Sequence, residues 1–371
     1  MSKVLMCGNE VIGEAAIQAG CRLYAGYPIT PQNELTQYMA RRMVEVGRTF
    51  IQAESELAAI NLVFGASAAG ARAMTSSSSP GISLKQEGIS YLAACQLPAV
   101  IVNMMRGGPG LGNIAPAQAD YFQATRGGGH GDYKTIVLAP ATVEEARNLT
   151  RLAFDLADEY KNPVMILGDG ILGQMMEPIE VIGSRSSING RIMNNEHRIS
   201  KPWALTGCRG RKPNVIRSLL LGEGELEEHN KVLQLKYNKV KSKEMRVESV
   251  YTEDSDLVVV AYGTTSRIVR AAILKARRDR LRVGMLRPIT LWPFPDKEIQ
   301  KLTRKAKAFL VVEMSAGQML EDVRLAVLGE RPIHFYGRTG GGVPTEEAVL
   351  TAIRNVLKAK SKEKTIYEKS L

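Results

Sequence analysis

The sequence has few residues of the kinds that hold metal ions. Its 371 residues include four cysteines and four histidines, which are widely spaced and form no Cys-x-x-Cys pair. These spacings match no common structural zinc or iron–sulfur site. We therefore expect reduced, mostly buried thiols and no metal bound by this chain alone.

Long apolar stretches are also missing. No run approaches the roughly eighteen apolar residues of a membrane-spanning helix, and residues 1–6 enter a strand pattern without the features of a signal peptide. Hydrophobic residues nevertheless make up 44% of the chain, which is typical of a globular protein with room for two domains. We expect a cytoplasmic protein that does not bind membranes.

The charge is unbalanced, with 49 lysines and arginines against 38 aspartates and glutamates and a net charge of +11. Much of the excess lies at residues 209–212, 236–243 and 358–369. A basic surface attracts nucleic acid, acidic proteins or acidic substrates, but no helix-turn-helix, RNP or zinc-finger pattern accompanies it. We interpret these residues as solvated and partner-facing surface, and an anion- or nucleic-acid-binding protein is the alternative.

Apolar strand patterns alternate with helical patterns in two parts of the chain, from residue 4 to about 175 and from 257 to 358. This alternation predicts an α/β protein with two doubly wound parallel-sheet domains. The predicted divisions are a first domain at 1–200, a connector with one exposed helix at 201–254, a second domain at 255–358 and a charged, frayed tail at 359–371.

Four polar or glycine-rich segments follow probable strands of the first domain, at residues 26–31, 52–56, 76–81 and 105–110. We predict that Thr30 caps a helix whose first residue is Pro31, and that the serine-rich segment is a loop before a helix that begins at Ile82. In open α/β sheets, ligands bind at the carboxyl edge of the strands. The four segments therefore predict half of a cofactor site, with the other half on a different chain.

Two charged residues in these segments could carry chemistry. Glu56, at the start of a predicted helix, could hydrogen-bond a ligand nitrogen and control its tautomer, or it could cap the helix together with Glu54. Arg106 could bind a carboxylate or phosphate through its planar guanidinium, or it could be a surface arginine in a turn. Thr30 could contact a substrate as well as cap its helix. The residue pattern alone leaves these alternatives open.

Gly168-Asp169-Gly170 and Asn194-Asn195 look together like the magnesium-diphosphate signature of thiamine enzymes. That signature expects a helix and a further strand between its two ends. The intervening residues contain a proline and several glycines and serines, which are typical of a loop. We therefore predict no metal site here, and any role of Asp169 is left open.

Taken together, the four segments resemble those of the pyrimidine-binding subunit of 2-oxoacid:ferredoxin oxidoreductases. The resemblance rests on GYPITP at 26–31, ESE at 54–56, SSPG at 78–81 and RGGPG at 106–110. It covers most of residues 1–180 and continues over about 255–358 as a transketolase-C-terminal-like domain. Within the family, residues 118–133 and 168–174 are most similar to the α subunit of the 3-methyl-2-oxobutanoate (2-ketoisovalerate) enzymes.

The resemblance implies a thiamine-diphosphate-dependent, CoA-acylating enzyme that oxidatively decarboxylates 2-oxoacids. It implies that Glu56 bonds N1′ of the aminopyrimidine and promotes the imino tautomer of the cofactor. It also implies that Thr30 and Arg106 contact the substrate, Arg106 through the substrate carboxylate. The cofactor-binding residues that it implies are Tyr27, Pro28, Ile29, Glu56, Ser79 and Gly81.

The resemblance also implies partners. A β subunit would hold the diphosphate half of the site with Mg²⁺, and γ and ferredoxin-like δ subunits would complete a complex that carries iron–sulfur clusters, uses CoA and reduces ferredoxin. Met105 and Leu111 stand where the 2-oxoglutarate members tend to carry polar residues, which favours a branched substrate such as 3-methyl-2-oxobutanoate. A 2-oxoglutarate enzyme and a non-catalytic assembly subunit are the alternatives.

Overall fold

The computed structural model describes residues 3–180 and 201–358. Strands and helices of the first range follow the order β1 (Lys3–Cys7), α1 (Gly8–Gln18), β2 (Leu23–Gly26), α2 (Asn33–Glu45), β3 (Thr49–Gln52), α3 (Glu56–Ala68), β4 (Ala73–Ser77), α4 (Ser79–Ala94), β5 (Ala99–Met105), α5 (Tyr121–Thr125), β6 (Ile136–Leu138), α6 (Val143–Tyr160), β7 (Pro163–Asp169), α7 (Gly170–Gln174) and β8 (Met176–Glu180). The second range continues with α8 (Glu225–Lys243), β9 (Val247–Val250), β10 (Leu257–Val260), α9 (Thr265–Arg278), β11 (Val283–Pro288), β12 (Thr290–Trp292), α10 (Asp296–Thr303), β13 (Ala308–Glu313), α11 (Gln318–Val327), β14 (Ile333–Gly337) and α12 (Glu346–Lys358). The predicted tail at 359–371 lies outside the described residues.

Two mainly parallel sheets organise the chain. The larger sheet has the strand order β12-β6-β7-β5-β4-β2-β3, and its strands from β2 to β7 pair in parallel. The second sheet has the order β14-β13-β10-β11-β9 and is parallel except for β9. The predicted α/β architecture with two sheets is therefore confirmed.

Two antiparallel edge strands depart from the predicted all-parallel pattern. β12 pairs with β6 of the larger sheet, although it follows β11 of the second sheet after a single residue. So short a connection cannot contain the crossover helix that a parallel neighbour needs. β12 therefore links the two sheets, because it pairs with the larger sheet while its chain neighbour β11 belongs to the second. β9 lies in the segment predicted as a connector and forms the edge of the second sheet.

The central strands are apolar along their whole length because parallel sheets are covered on both faces. β5 and β7 are buried at every residue, and so is β10. Outside these sheets, β1 and β8 pair antiparallel as a two-stranded sheet. Among the helices of the described residues, none has both the length and the apolar composition needed to cross a bilayer.

The helix predicted in the connector is present as α8, but it is not fully exposed. Leu233, Tyr237 and Val240 are buried on one of its faces, at the spacing of an amphipathic helix. Lys236 is half-buried and donates to the carbonyl oxygen of Lys161 at 3.2 Å. Burial, with a smaller effect of the Lys161 charge, lowers the pKa of Lys236 to about 7. The interpretation of residues 236–243 as solvated surface is therefore wrong for Lys236.

The cysteines are less uniformly buried than predicted. Cys7 and Cys21 are buried, Cys95 is half-buried and Cys208 is exposed, and all four are free thiols. Burial raises the pKa of Cys21 to about 12, which keeps this residue in its unreactive thiol form.

Candidate active site

The carboxyl ends of four neighbouring strands lie along one edge of the larger sheet. β3, β2, β4 and β5 are adjacent and parallel, so the loops that follow them meet at that edge. These loops contain the four segments singled out from the sequence. The structure therefore brings the four segments side by side.

The segment after β2 is a longer loop than predicted. The helix α2 begins at Asn33 with Gln32 as its N-cap residue, so the prediction that Thr30 caps a helix starting at Pro31 is wrong. The backbone N–H of Gln32 bonds the carbonyl oxygen of Ile29 in a turn at 3.1 Å, which delays the helix. The Thr30 hydroxyl accepts a hydrogen bond from Nδ2 of Asn33 at 3.1 Å instead.

The other predicted cofactor-binding residues of this loop lie near the surface. Tyr27 and Pro28 are exposed, while Ile29 and Thr30 are half-buried. The loop therefore offers both side chains and backbone to a ligand or to another chain at this edge.

The segment after β4 is helical earlier than predicted. α4 begins at Ser79, with Ser78 as its N-cap residue, rather than at Ile82. Pro80 is tolerated there because the N–H groups of a first helical turn have no partner within the helix. A Cβ added at Gly81 would overlap Oγ of Ser77 and Oε1 of Glu56. Gly81 thus leaves room for the carboxylate.

Glu56 is the first residue of α3 and is buried, with 5% of its surface exposed. The helix is capped by the hydroxyl of Ser55, which accepts from the backbone N–H of Ala58 at 3.2 Å, and Glu54 is exposed. The alternative in which Glu54 and Glu56 act as caps therefore does not describe this helix. The hydroxyl of Ser77 lies 3.4 Å from Oε1 of Glu56. This distance is long for a hydrogen bond between two oxygen atoms, so Ser77 is a weak partner for the buried carboxylate.

Arg106 follows β5 and is also buried, with 9% of its surface exposed. Its Nη1 donates to the carbonyl oxygen of Thr30 and its Nη2 to that of Leu111, both at 3.1 Å. Its Nε is buried and has no hydrogen-bond partner among the described residues. The alternative of a surface arginine is therefore wrong, and the guanidinium is oriented by neutral carbonyl groups.

Ser79 connects the start of α4 to the segment at residues 105–110 through hydrogen bonds. Its hydroxyl donates to Oδ2 of Asp120 at 2.6 Å and accepts from the backbone N–H of Arg106 at 3.0 Å. Asn103 donates to the same Asp120 oxygen at 2.9 Å. Burial raises the pKa of Asp120, against the opposite effect of these two hydrogen bonds. Sequence reasoning missed Asp120, although Asn103, the one polar residue in the apolar strand β5, was a signal for a buried polar network.

Lys85 is the second residue that sequence reasoning missed. It lies in the second turn of α4, is fully buried, and donates from Nζ to Oγ1 of Thr75 at 2.8 Å. Burial, partly offset by the charge of Glu56, lowers the pKa of Lys85 to about 7. The available signal was its position four residues after Gly81, on the helix face that meets Glu56.

Asp169 has a structural task at the end of β7. Its Oδ1 accepts from the backbone N–H groups of Ile171 and Leu172 at 2.9 and 3.1 Å, which caps α7. Its Oδ2 accepts from the hydroxyl of Thr264, and burial raises the pKa of the carboxyl group. Asn194 and Asn195, the other half of the rejected signature, lie outside the described residues. No group of three or more His, Cys, Asp or Glu side chains placed to hold a metal occurs within residues 3–180 and 201–358.

The two residues that favoured a branched substrate differ in exposure. Met105 is buried in the core, with 1% of its surface exposed, whereas Leu111 is 81% exposed. Leu111 is therefore available to a ligand or a partner, while Met105 belongs to the hydrophobic core.

Glu56 supplies a buried carboxylate and Arg106 a buried guanidinium, which no carboxylate among residues 3–180 and 201–358 neutralises. The two groups can act on one ligand in different ways. Glu56 can exchange a proton with a ligand nitrogen, and Arg106 can bind an anionic group. The first turn of α4 connects them, since Ser79 touches Arg106 and Gly81 faces Glu56. Fold and site together are those of an α/β protein whose candidate ligand site lies at the carboxyl edge of a parallel sheet.

Comparisons with known proteins place the chain within that class. The family model described as pyruvate flavodoxin/ferredoxin oxidoreductase, thiamine diP-bdg, matches residues 14–248, and the pyruvate:ferredoxin oxidoreductase core domain II matches residues 255–349. The ketoisovalerate oxidoreductase subunit VorB of Methanothermobacter marburgensis is 49% identical, covering 96% of this chain and 98% of the relative. The 2-oxoglutarate synthase subunit KorA of Methanothermobacter thermautotrophicus is 36% identical, covering 93% and 96%. The chain belongs to the 2-oxoacid:ferredoxin oxidoreductase family, as an α-type subunit with a thiamine diphosphate-binding domain.

Solved structures agree with this assignment. The 2-oxoglutarate:ferredoxin oxidoreductase from Magnetococcus marinus, with 2-oxoglutarate, coenzyme A and succinyl-CoA bound, matches with a TM-score of 0.81 and 28% identity. The match covers 96% of this chain and 66% of that chain. A split gene transketolase, an inactive β4 tetramer, matches with a TM-score of 0.59 and 15% identity over 95% of this chain and 98% of that chain, which shows a shared fold only.

Proposed function

We propose that this chain is the α subunit of a thiamine-diphosphate-dependent, CoA-acylating 2-oxoacid:ferredoxin oxidoreductase that acts on 3-methyl-2-oxobutanoate and other branched 2-oxoacids. The observation that carries the proposal is the pair of buried groups at one sheet edge: the Glu56 carboxylate and the Arg106 guanidinium. In a family with a thiamine diphosphate-binding domain, these two groups suit the cofactor and the acid respectively.

Glu56 is the proposed catalytic residue toward the cofactor. Thiamine diphosphate, when bound, supplies the carbon nucleophile for a 2-oxo group and takes up the electron pair released by decarboxylation. Glu56 would hold or release a proton at N1′ of the aminopyrimidine ring. Burial strengthens such a hydrogen bond, and the missing side chain at Gly81 keeps space for the carboxylate.

Arg106 and Thr30 are the proposed substrate-binding residues. A guanidinium that is oriented by two carbonyl groups can receive a carboxylate without first breaking an internal ion pair. The Thr30 hydroxyl is half-buried beside it and can still donate a hydrogen bond while accepting from Asn33.

The remaining proposed cofactor contacts are Tyr27, Pro28, Ile29, Ser79 and Gly81. The exposed loop at 27–28 offers apolar contact surface. Ser79, whose hydroxyl already binds Asp120, would act mainly by fixing the start of α4.

Exposed apolar side chains around this edge support a partner subunit. Tyr27, Leu57, Leu111 and Ile114 are 38%, 46%, 81% and 63% exposed, and such clusters mark interaction sites. We infer that a β subunit covers this edge and holds the diphosphate and Mg²⁺. Iron–sulfur clusters would lie on partner subunits, among them γ and a ferredoxin-like δ subunit, with ferredoxin as the electron acceptor in the cytoplasm.

The proposed division of the chain assigns residues 1–200 to the pyrimidine-binding domain and 255–358 to the transketolase-C-terminal-like domain. The two family matches support this order, at 14–248 and 255–349. The strand β9, at Val247–Val250, packs with the second sheet. The segment 201–254 would therefore contribute to the second sheet as well as connect the two domains.

The proposed substrate rests on two observations. The ketoisovalerate relative is 49% identical, against 36% for the 2-oxoglutarate relative. The carbonyl group of Leu111 accepts a hydrogen bond from Arg106, and its side chain next to this arginine is exposed and apolar rather than cationic. A dicarboxylate would need a further cation, so these features favour a branched aliphatic acid over 2-oxoglutarate.

The test is CoA-dependent reduction of a low-potential dye by this chain, co-produced anaerobically with its neighbouring subunits. The acids compared are 3-methyl-2-oxobutanoate, 2-oxoglutarate and pyruvate, and the variants are Glu56→Gln and its matched control Glu45→Gln. We expect turnover with the branched acid, near-complete loss in Glu56→Gln with assembly intact, and wild-type turnover in Glu45→Gln, since Glu45 is exposed at the end of α2.

Each contrary result identifies a different alternative. Preference for 2-oxoglutarate would keep the family and overturn the substrate argument. Unchanged turnover in Glu56→Gln would remove the catalytic assignment. No turnover with any acid, in a complex that contains thiamine diphosphate and clusters, would favour an assembly subunit without catalytic function.

A further inference from the structure

One buried amine has no part in the proposed function. Lys85 is fully buried, and a lysine rarely occupies such a place without a compensating charge. Its Nζ donates to the Thr75 hydroxyl at 2.8 Å. One neutral hydroxyl does not offset the desolvation of an ammonium group. The position therefore calls for a nearby anion.

Lys85 and Glu56 reach toward the same part of β4. Gly81 and Lys85 are four residues apart and share a face of α4, and a Cβ at Gly81 would overlap Oε1 of Glu56. Thr75 and Ser77 project to the same face of β4. Thr75 binds Lys85, and Ser77 lies beside Glu56. The two charged side chains thus share the space enclosed by α3, α4 and β4.

Few other titratable groups face this space. α3 has no titratable side chain besides Glu56, and β4 and β5 have none. β7 ends in Asp169, whose carboxylate oxygens are bonded at α7 and α9. On α4 itself, Glu87 and Tyr91 are exposed and bond each other. Within the part of the chain that the structure describes, Glu56 is therefore the anion that acts on Lys85.

We propose that Lys85 is a positioning residue whose buried ammonium group attracts the Glu56 carboxylate and keeps it aimed at the cofactor site. Opposite charges attract strongly where water is excluded. A cation in this space stabilises the negative charge of Glu56 while the carboxylate bonds a ligand nitrogen. Lys85 acts on the cofactor only through Glu56, so this inference rests on the proposed function of Glu56.

The proposal has a consequence for pH. Burial lowers the pKa of Lys85 to about 7, and the Glu56 charge opposes that decrease. Lys85 is therefore charged below this pH and neutral above it. Turnover of the assembled enzyme should fall as the pH rises through about 7, and a Lys85→Met complex should lack this alkaline limb.

The test uses the co-produced complex and two readouts, the dissociation constant of thiamine diphosphate and the pH profile of turnover. Wild type is compared with Lys85→Met, Glu56→Gln and the double variant. Lys85→Met should weaken cofactor binding about tenfold in the wild-type background, and hardly further in the Glu56→Gln background, because Lys85 acts through Glu56. The matched control is Lys236→Met on α8. Lys236 also has a pKa lowered to about 7 but does not touch the site, so both readouts should stay at the wild-type level.

Two results would overturn the inference and leave the role of Glu56 intact. In the first, Lys85→Met lowers cofactor affinity equally in the wild-type and Glu56→Gln backgrounds. In the second, Lys85→Met binds the cofactor like the wild type and its turnover falls at alkaline pH in the same way. Wild-type binding and turnover in Glu56→Gln would overturn the proposed function, and the inference with it. Should Lys85→Met fail to assemble, Thr75→Val decides. That variant removes the hydrogen bond that the ammonium group donates to Thr75, so the alkaline fall in turnover should begin at lower pH. A fall at the wild-type pH would contradict the proposal.

Discussion

The carbonyl oxygen of Thr30 accepts a hydrogen bond of 3.1 Å from Nη1 of Arg106, 76 residues further along the chain. The carbonyl oxygen of Leu111 holds Nη2 at the same distance. Neither acceptor carries a formal charge, so the guanidinium is oriented without being neutralised. A substrate carboxylate would meet a cation already in place and would displace no carboxylate of the residues that the structure describes.

Replacing Arg106 by lysine should raise the KM for the 2-oxoacid. Lysine keeps the charge but lacks the planar fork, so it cannot donate to two carbonyl groups and a carboxylate together. A hydrogen bond to a charged group contributes about 1.5–3 kcal/mol, which corresponds to a rise in KM of roughly 10- to 150-fold. Steady-state dye reduction at varied substrate concentration measures KM and kcat separately, and kcat should change less.

The matched control is Arg126→Lys. Arg126 is half-exposed at the end of α5 and pairs with Asp322 at 2.7 Å, outside the four segments at the sheet edge. Its replacement should leave KM at the wild-type value. A wild-type KM in Arg106→Lys would contradict the assignment of Arg106 to the substrate carboxylate.

The sheet edge was predictable from the sequence because it depends on local patterns. Strands buried on both faces appear as apolar runs, and the segments after them are marked by glycine, proline and serine. The exact helix starts were less predictable. Thr30 and Pro31 have the residue types of a helix start, yet a turn from Ile29 to Gln32 comes first. Ser79 lies inside α4 although it reads as loop.

The side-chain partners at the site could not be predicted because they meet only when separate elements pack together. Lysine in a helix is usually exposed, and only the packing of α4 against β4 shows that Lys85 is buried on Thr75. Asp120 likewise looks like a loop residue until Ser79, 41 residues before it, is placed against it. Long-range contacts of this kind leave no periodic signal in the sequence.

Replacing Gly81 by alanine should disturb Glu56 directly. A Cβ at this position overlaps Ser77 Oγ and Glu56 Oε1, so one of the two groups must move. Overpacking of a close-packed site typically costs about 1–3 kcal/mol. Because the moving group is the proposed catalytic carboxylate, turnover should fall by roughly tenfold or more. Turnover and cofactor affinity of the assembled complex measure the effect.

Gly65→Ala is the control for this variant. Gly65 is an interior residue of α3, and nothing lies within 4 Å of a Cβ added there. Alanine should stabilise the helix by about 0.5–1 kcal/mol and leave turnover unchanged. Equal turnover in Gly81→Ala and Gly65→Ala would show that the space at Gly81 does not matter to Glu56.

The ion pairs of the buried Arg287 should contribute to the stability of the contact between the two sheets. Arg287 of β11 binds both carboxylate oxygens of Glu145 on α6, at 2.7 and 2.8 Å, and also binds Glu248 of β9 at 2.7 Å. Glu145→Gln should lower the free energy of unfolding by about 3 kcal/mol, because it leaves a buried guanidinium short of one anion. Urea denaturation of the purified chain measures this loss. The neighbouring Glu144→Gln, whose side chain is 45% exposed in its pair with Arg147, should change it by less than about 1 kcal/mol, and similar losses in the two variants would contradict the role of Arg287.

The buried amine of Lys85 should also make stability depend on pH. Its pKa is lowered from 10.5 to about 7 in the folded chain, so between these values the unfolded state binds more protons and stability rises with pH. Lys85→Met lacks this contribution. The variant should therefore be more stable than the wild type at about pH 7, and the difference should shrink by up to about 1.4 kcal/mol per pH unit as the pH rises toward 10.

Urea denaturation of the purified chain across this pH range provides the measurement, with Lys297→Met as the control. Lys297 is exposed on α10, so the difference between this variant and the wild type should be small and independent of pH. A difference between Lys85→Met and the wild type that does not change with pH would show that Lys85 keeps its ordinary protonation in the folded chain. The expected combination is a variant that gains stability at neutral pH while it loses cofactor affinity. That combination distinguishes a lysine kept for Glu56 from one kept for packing, because a packing residue would lose stability on replacement.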